Sequence, residues 1–442
     1  MLNQWRSGTC GGLLEISAFR EWATADNQTS IIWAHARPGS GKSIHSSFLV
    51  SHLEVSGCHC VYYFFRYMDS TKRSLKNLLL SIASQLADDL PAYRQNLISL
   101  YKNGLRLDRV SAKVIWQKLF VSALPPDNYS WPVYWVVDAL DESDSPLDVV
   151  EVLSGISTLR VPIKLFVTSR DLPAIKGAFS RIRSCPMTAL SLDDNTADIR
   201  LCAGLEIQNM LGSDTIKQNI VNHVVERANG SFLWVGLATK QLRHCHSPEE
   251  VQDILLTLPS GMNALYERME ANISRLTRTV DKELSRIILT WVMFARRPLT
   301  KFELLSVMAP EYSEPLDFGH MISETCGQSV TIDNNGKVSL IHQTAREYLG
   351  KAERLPFSLK PSVGHETIFT KTISLFLDTS IRSKLRRNTM PHFYQYAATS
   401  WPYHLSYVSS ASDPNMDILV RFFRGSHALS WIQALACWAS LK

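Results

Sequence analysis

Apolar and polar positions follow two different rhythms along the chain. Residues Ile31 to Ala36 form a continuous apolar-rich run, whereas the segment after it places Ile44, Phe48, Leu49 and Leu53 on one stripe. The first pattern predicts a strand buried on both faces, the second a helix beginning near Lys42. Further strand-like runs are "CHCVYYFFR" (Cys58 to Arg66), "PVYWVVDALDES" (Pro132 to Ser143) and "IKLFVTSRD" (Ile163 to Asp171), interleaved with helical "LKNLLLSIASQLADDL" and "AKVIWQKLFVSAL". Short apolar strands separated by helices predict a parallel sheet covered on both faces. The strand ending in Asp138 is expected beside the first.

The texture changes near residue 190. "TADIRLCAGLEIQNML", "VNHVVERANGSFLWVGLATKQL" and "NALYERMEANISRL" read as amphipathic helices, and "LPSGM" (Leu258 to Met262) punctuates two of them. Farther on, "SVTIDNNGKVSLIHQTAREYLG" carries two alternating runs joined by Asn334-Asn335-Gly336, a strong hairpin signal. Thr344 and Glu347 then have the spacing of a capping box. Helix, hairpin and helix in that order predict a winged helix. The expected organisation is a lead-in segment (1–27), an α/β domain (28–190), a helical domain (191–284), a winged helix (285–352) and a C-terminal helical region (353–442).

Composition narrows the class. Of 442 residues, 45% are hydrophobic and 20% charged, and 46 basic residues face 41 acidic ones, for a net charge of +5. This balance is too even to mark a nucleic-acid or membrane binder. Eight cysteines without a C-x-x-C pair fit a reduced compartment. "MLNQWRSGTCGG" is unlike a signal peptide, and no apolar run approaches the length of about eighteen residues that spans a membrane. A cytoplasmic protein is expected.

Between the first strand and its helix stands "ARPGSGKS". Glycines permit a tight loop whose N–H groups converge on an anion, and the helix N-terminus adds its dipole. Lys42 would reach the β- and γ-phosphates of a nucleotide and the Ser43 hydroxyl would ligate Mg²⁺. Ala36 occupies the first glycine of the G-x-x-x-x-G-K-[ST] pattern, which is tolerable only at negative φ.

The partner of this loop is "VYWVVDALDES". Asp138 ends its strand and would hold Mg²⁺, while Asp141 and Glu142 would polarise an attacking water. The plainer reading of such an Asp is a helix N-cap, but three acids within five residues repel one another unless a cation sits among them. Arg170, at the carboxyl end of the next strand, lies where open α/β sheets bind ligands. It reads as a γ-phosphate sensor or as a surface ion-pairing residue.

"ARPGSGKS", "VVDALDES", "KLFVTSRD", "ANGSFLWVGLATKQL", "LPSGMNALYERM" and "IHQTAREYL" follow one another in the order of fungal NACHT proteins of the STAND NTPase class, which the chain therefore resembles. "SGTCGGLLEISAFREW" is similar to the segment before the P-loop in the same proteins, also described as nephrocystin-like N-terminal domains. The resemblance implies a switch driven by ATP or GTP, with ADP or GDP in the resting state. Exchange would open the protein to self-association in fungal self/non-self recognition (heterokaryon incompatibility) or programmed cell death. By position, the P-loop falls on Pro38, Gly39, Ser40, Gly41, Lys42 and Ser43, the Mg²⁺ acid on Asp138, the hydrolytic acids on Asp141 and Glu142, and the sensor on Arg170. Pro259 resembles the proline near the base. His342 matches a winged-helix histidine that reaches the nucleotide, or is a packed histidine at a strand end.

Ala36, and Ile44-His45 in place of the usual Thr-Leu, depart from the family pattern. They leave open a second reading, a non-hydrolysing or decayed nucleotide-binding scaffold acting through an effector or a full-length NLR-like partner. The chain begins at the lead-in and ends without ankyrin or WD repeats, as a core-only protein or a truncated gene model would. Cys58-His59-Cys60 and His244-Cys245-His246 are too tightly spaced for zinc. H-E-x-x-H and G-x-S-x-G are absent, which removes zinc-protease and α/β-hydrolase readings. "KFELLSVMA" carries a single lysine, so its helix suits domain packing better than a nucleic-acid backbone.

Overall fold

A computed structural model describes residues 8–24, 28–107, 110–125, 132–208, 213–243, 245, 247–309, 312, 315–387, 389–408 and 413–440. The chain divides into two compact units, Met1–Met262 and Asn263–Lys442. His244 and His246 lie outside the described residues.

In the first unit the apolar runs become five strands: β1 (Ser30–His35), β2 (Cys60–Phe64), β3 (Val133–Asp138), β4 (Ile163–Ser169) and β5 (Met187–Ser191). All pairings are parallel, in the order β2-β3-β4-β1-β5. The strand ending in Asp138 is thus not beside β1. β4 lies between them, because β1 pairs with β4 on one side and β5 on the other. The continuous apolar runs sit where they must, with every residue of β3 and β4 buried, while edge strands β2 and β5 are partly exposed. Side chains alternate between faces. Ile31 and Trp33 join Val61, Trp135 and Leu165 in one core, and Ile32 and Ala34 join Val136 and Phe166 in the other.

The first core is covered by α3 (Leu75–Asp89), which follows α1 (Ser17–Thr24) and α2 (Lys42–Val55) in the chain, and precedes α4 (Pro91–Lys102), α5 (Ala112–Ile115), α6 (Pro146–Ser154) and α7 (Pro173–Phe179). The second contains Cys10, Leu13, Phe19 and Trp22 of the lead-in with Phe48, Leu49 and Leu53 of α2. Beyond the sheet come α8 (Thr196–Gln208), α9 (Asp214–Ala228), α10 (Phe232–Leu242) and α11 (Pro248–Thr257), and α12 (Met262–Ser274) falls in the second unit but for its first residue. The segment around "ERANGSF" is not one helix. Asn229 and Gly230 take left-handed φ values of 46° and 78° and end α9, and Ser231 caps α10 by accepting from the Trp234 N–H.

The second unit carries α13 (Thr279–Phe294), β6 (Leu299–Thr300), α14 (Lys301–Met308), α15 (Phe318–Thr325), β7 (Val330–Ile332), β8 (Lys337–Leu340) and α16 (Gln343–Leu349). The hairpin β7–β8 is antiparallel and β6 adds to its free side. Asp333 shapes the turn by accepting the N–H groups of Asn335 and Lys337. The expected capping box at Thr344 and Glu347 does not form: His342 is the N-cap of α16, and the Thr344 hydroxyl is shared with Tyr266. A complete box stands instead at Thr300 and Glu303, opening α14. Helices α17 (Pro361–Leu377), α18 (Ile381–Arg387), α19 (Tyr394–Leu405), α20 (Asp413–Arg424) and α21 (His427–Ser440) complete this unit. Among the described residues, no helix is long and apolar enough to cross a membrane.

Candidate nucleotide site

The loop after β1 meets the ends of β3 and β4 at the carboxyl edge of the sheet. Gly39 and Gly41 have φ of 76° and 90°, values other residues rarely adopt. A Cβ on either would meet its neighbour closely, at 2.7 Å from Ser231 Oγ for Gly39 and 2.9 Å from the Phe232 ring for Gly41. Glycine is therefore required twice over, by backbone angle and by space. Ala36, by contrast, is fully buried and is not among the residues of positive φ, so the methyl group is compatible with its backbone.

Gly41 is the N-cap of α2, and no side chain caps that terminus. A helix leaves its first N–H groups without intrahelical acceptors, which makes this end receptive to an anion. Ser40 Oγ is buried there without a partner among the described residues. Lys42 Nζ donates to the carbonyls of Ala36 at 3.0 Å and Arg37 at 2.9 Å. Burial pulls the Lys42 pKa down, and Asp141, Asp138 and Glu142 oppose that pull.

Asp138 is fully buried and accepts three hydroxyls: Ser43 Oγ at 2.6 Å, Ser46 Oγ at 2.8 Å and Thr168 Oγ1 at 2.6 Å. Burial pushes its pKa up and these donors draw it back. By giving its proton to Asp138, the Ser43 hydroxyl keeps its lone pairs for a cation. A hydroxyl beside a carboxylate is a hard oxygen set of the kind Mg²⁺ takes. Sequence reasoning missed Ser46 and Thr168. Ser46 lies three residues after Ser43 on the same face of α2, and Thr168 sits two before Arg170, so the spacing was there to find.

Ala139, directly after Asp138, adopts a left-handed φ of 54° and donates its N–H to Thr168 Oγ1 at 2.9 Å. This strained turn carries the other two acids. Asp141 is engaged by Arg170 twice, with the backbone N–H at 3.0 Å and the guanidinium Nε at 3.0 Å. Glu142 accepts the Tyr67 N–H at 2.8 Å. Burial raises its carboxyl to about 7, against the lowering pull of that N–H.

Asn195 was also missed. Buried, it donates through Nδ2 to the carbonyls of Ser40 and Gly230, both at 3.0 Å, and the Phe232 N–H donates to the Gly39 carbonyl at 2.9 Å. The break between α9 and α10 thus holds the glycine loop. A single asparagine after "LDD" gives no sequence signal for such a role. Pro259 accepts the Trp234 Nε1 proton at 3.0 Å. His342 lies in the second unit, where its Nδ1 accepts the Thr344 N–H at 3.2 Å.

Residues 8–170 match the family described as nephrocystin 3, N-terminal, and residues 267–357 match the winged helix domain of GPI inositol-deacylase. The vegetative incompatibility protein HET-E-1 of Podospora anserina is 25% identical over 494 aligned positions, covering 98% of this chain. The chain spans only 35% of that relative's length. Among solved structures, a STAND protein with a tetratricopeptide repeat sensor from Pyrococcus horikoshii gives a TM-score of 0.47 at 11% identity, over 95% of this chain and 52% of its own. The Aeropyrum pernix ORC1 protein in complex with DNA gives 0.34 at 14% identity, over 72% and 85%. Both scores are low, and nothing is argued from them. The sequence matches fall on the parallel sheet with its glycine loop and on the helix-hairpin-helix segment, so the chain is similar to nephrocystin 3 N-terminal domains over its first part, to the GPI inositol-deacylase winged helix farther on, and to HET-E-1 over nearly its whole length.

Proposed function

We propose that this chain is a nucleotide-dependent signalling switch that binds ATP or GTP with Mg²⁺, hydrolyses it slowly and couples the bound state to self-association. The observation that carries this reading is the convergence of Ser43 and Asp138 at 2.6 Å, beside an uncapped helix start bearing Lys42. Pro38 to Ser43 wrap the phosphates, with Lys42 leaving its two loop carbonyls to pair with them. Ser43 offers its hydroxyl to the metal while Asp138 holds that hydroxyl's proton. Bound Mg²⁺ supplies charge neutralisation on the phosphate oxygens. Glu142 is the group that orients and deprotonates water, and Asp141 positions Arg170, whose positive charge balances phosphate charge. A role in fungal incompatibility follows the HET-E-1 relative and is part of the proposal.

The test is to purify the chain, denature it and identify released nucleotide by chromatography, alongside Lys42→Ala. Near-stoichiometric ADP or GDP from the wild type alone supports the switch and names the base. A wild type that carries no nucleotide and fails to bind added Mg²⁺-nucleotide overturns it in favour of a scaffold.

A further inference from the structure

Three side chains far apart in sequence meet in the first unit beside the phosphate helix. Cys10 comes from the lead-in, His45 from the first turn of α2 and Asp198 from the first turn of α8, and one donor atom of each lies within 4.8 Å of the others. Cys10 and His45 are 1% and 5% exposed.

The neighbours orient the cluster. His45 Nδ1 is 3.1 Å from the Gly41 carbonyl oxygen. A carbonyl only accepts, so Nδ1 carries the proton and the lone pair resides on Nε2. A backbone carbonyl holding one imidazole nitrogen while the other is left to coordinate is the usual support of a metal-bound histidine. Asp198 Oδ1 accepts the Cys10 backbone N–H at 3.1 Å, which fixes the thiol-bearing residue against the carboxylate.

We propose that Cys10, His45 and Asp198 bind one borderline divalent transition-metal ion, Zn²⁺ foremost. One sulfur, one nitrogen and one oxygen donor form a three-residue set whose fourth position is open to water. Metal–donor distances of about 2.0–2.3 Å place tetrahedral donors about 3.3–3.6 Å apart, so closure asks for side-chain shifts of about 1 Å. On binding, the Cys10 thiol gives its proton to the buffer and its sulfur bonds the metal. The ion then clamps the lead-in and α8 onto the helix that carries Lys42 and Ser43. This proposal stands independently of the nucleotide reading.

The test uses the full chain, stripped with a chelator, dialysed and titrated with Co²⁺ and then Zn²⁺. The expected result is a thiolate-to-cobalt charge-transfer band that saturates at one equivalent and is displaced by Zn²⁺. Cys10→Ser should abolish the band and weaken Zn²⁺ binding at least about tenfold, and His45→Gln should weaken it similarly. Cys58→Ser should leave both unchanged. Zn²⁺ should also raise the melting temperature of the wild type but not of Cys10→Ser. A wild type without the band overturns the proposal whatever the variants do. So does a band that survives Cys10→Ser and disappears in Cys58→Ser.

Discussion

At the scale of single residues, the two neighbouring acids after β3 have different environments and should have separable roles. Asp141 is committed to Arg170 through both its N–H and its guanidinium, whereas Glu142 holds one backbone N–H and a carboxyl raised to about 7 by burial. A base must be ionised to accept a proton, so turnover should rise as pH passes upward through about 7 and level off above it. Glu142→Gln should lower kcat by about 10²–10⁴-fold with nucleotide binding retained; equal turnover in the two proteins removes Glu142 from the mechanism. Stability gives an independent check. The folded pKa lies above the ordinary value of 4.5, so the carboxyl is protonated in the folded state where the unfolded chain has already ionised. Stability therefore falls as pH rises from 4.5 to about 7, by about 3 kcal/mol at about 1.4 kcal/mol per pKa unit. Glu142→Gln stays neutral and should be the more stable protein at pH 8 in denaturant titrations, with the difference vanishing near pH 4.5.

At the scale of elements, the break between α9 and α10 is structural support for the loop after β1, through Asn195 and the Phe232 N–H. Asn195→Ala leaves the Ser40 and Gly230 carbonyls without that donor in a buried setting, at a cost of about 1–3 kcal/mol each for a group left unsatisfied. The variant should melt earlier and bind nucleotide more weakly than wild type; unchanged affinity would mean the loop does not depend on this brace. The three inner strands were legible because burial on both faces writes a continuous apolar run, and edge strand β2 because its residues are aromatic and β-branched. β5 was not, since an edge strand with the partly exposed sequence "MTALS" carries neither a run nor a clean alternation. The α9–α10 break was read through, although Asn-Gly-Ser contains its own stop and cap signals. The order of β3 and β4 is written nowhere locally, because parallel crossovers leave the strand order to tertiary packing. In the second unit, α17 and α19 bring His365 and His404 together, Nδ1 to Nδ1 at 2.9 Å, with His404 Nε2 at 2.8 Å from the Tyr396 hydroxyl. Burial pushes both imidazole pKa values well below the ordinary 6.5, so the folded unit resists protons that the unfolded chain accepts. The stability that this pair contributes is fully present above pH 6.5 and is lost progressively as pH falls below it. Melting curves should show that acid-dependent loss in wild type and less of it in His404→Gln; an identical pH dependence in both would remove the pair as its source.

At the scale of the whole molecule, the proposed switch requires that one nucleotide state favour a different assembly from the other. A ligand shifts such an equilibrium only by its differential affinity for the two states. Under the proposed function, the groups that would distinguish a triphosphate from a diphosphate are Lys42, now on two loop carbonyls, and Arg170, held by Asp141, cations whose partners would change on adding a terminal phosphate. Sedimentation velocity on wild type should therefore show larger species with Mg²⁺ and a non-hydrolysable triphosphate than with the diphosphate. Lys42→Ala should sediment alike in both. Glu142→Gln should hold the larger species with the natural triphosphate, because the state that turnover would reset persists. Should wild type sediment identically with both nucleotides while still binding them, self-association leaves the proposed function and the chain is a nucleotide-binding scaffold whose output passes through another protein.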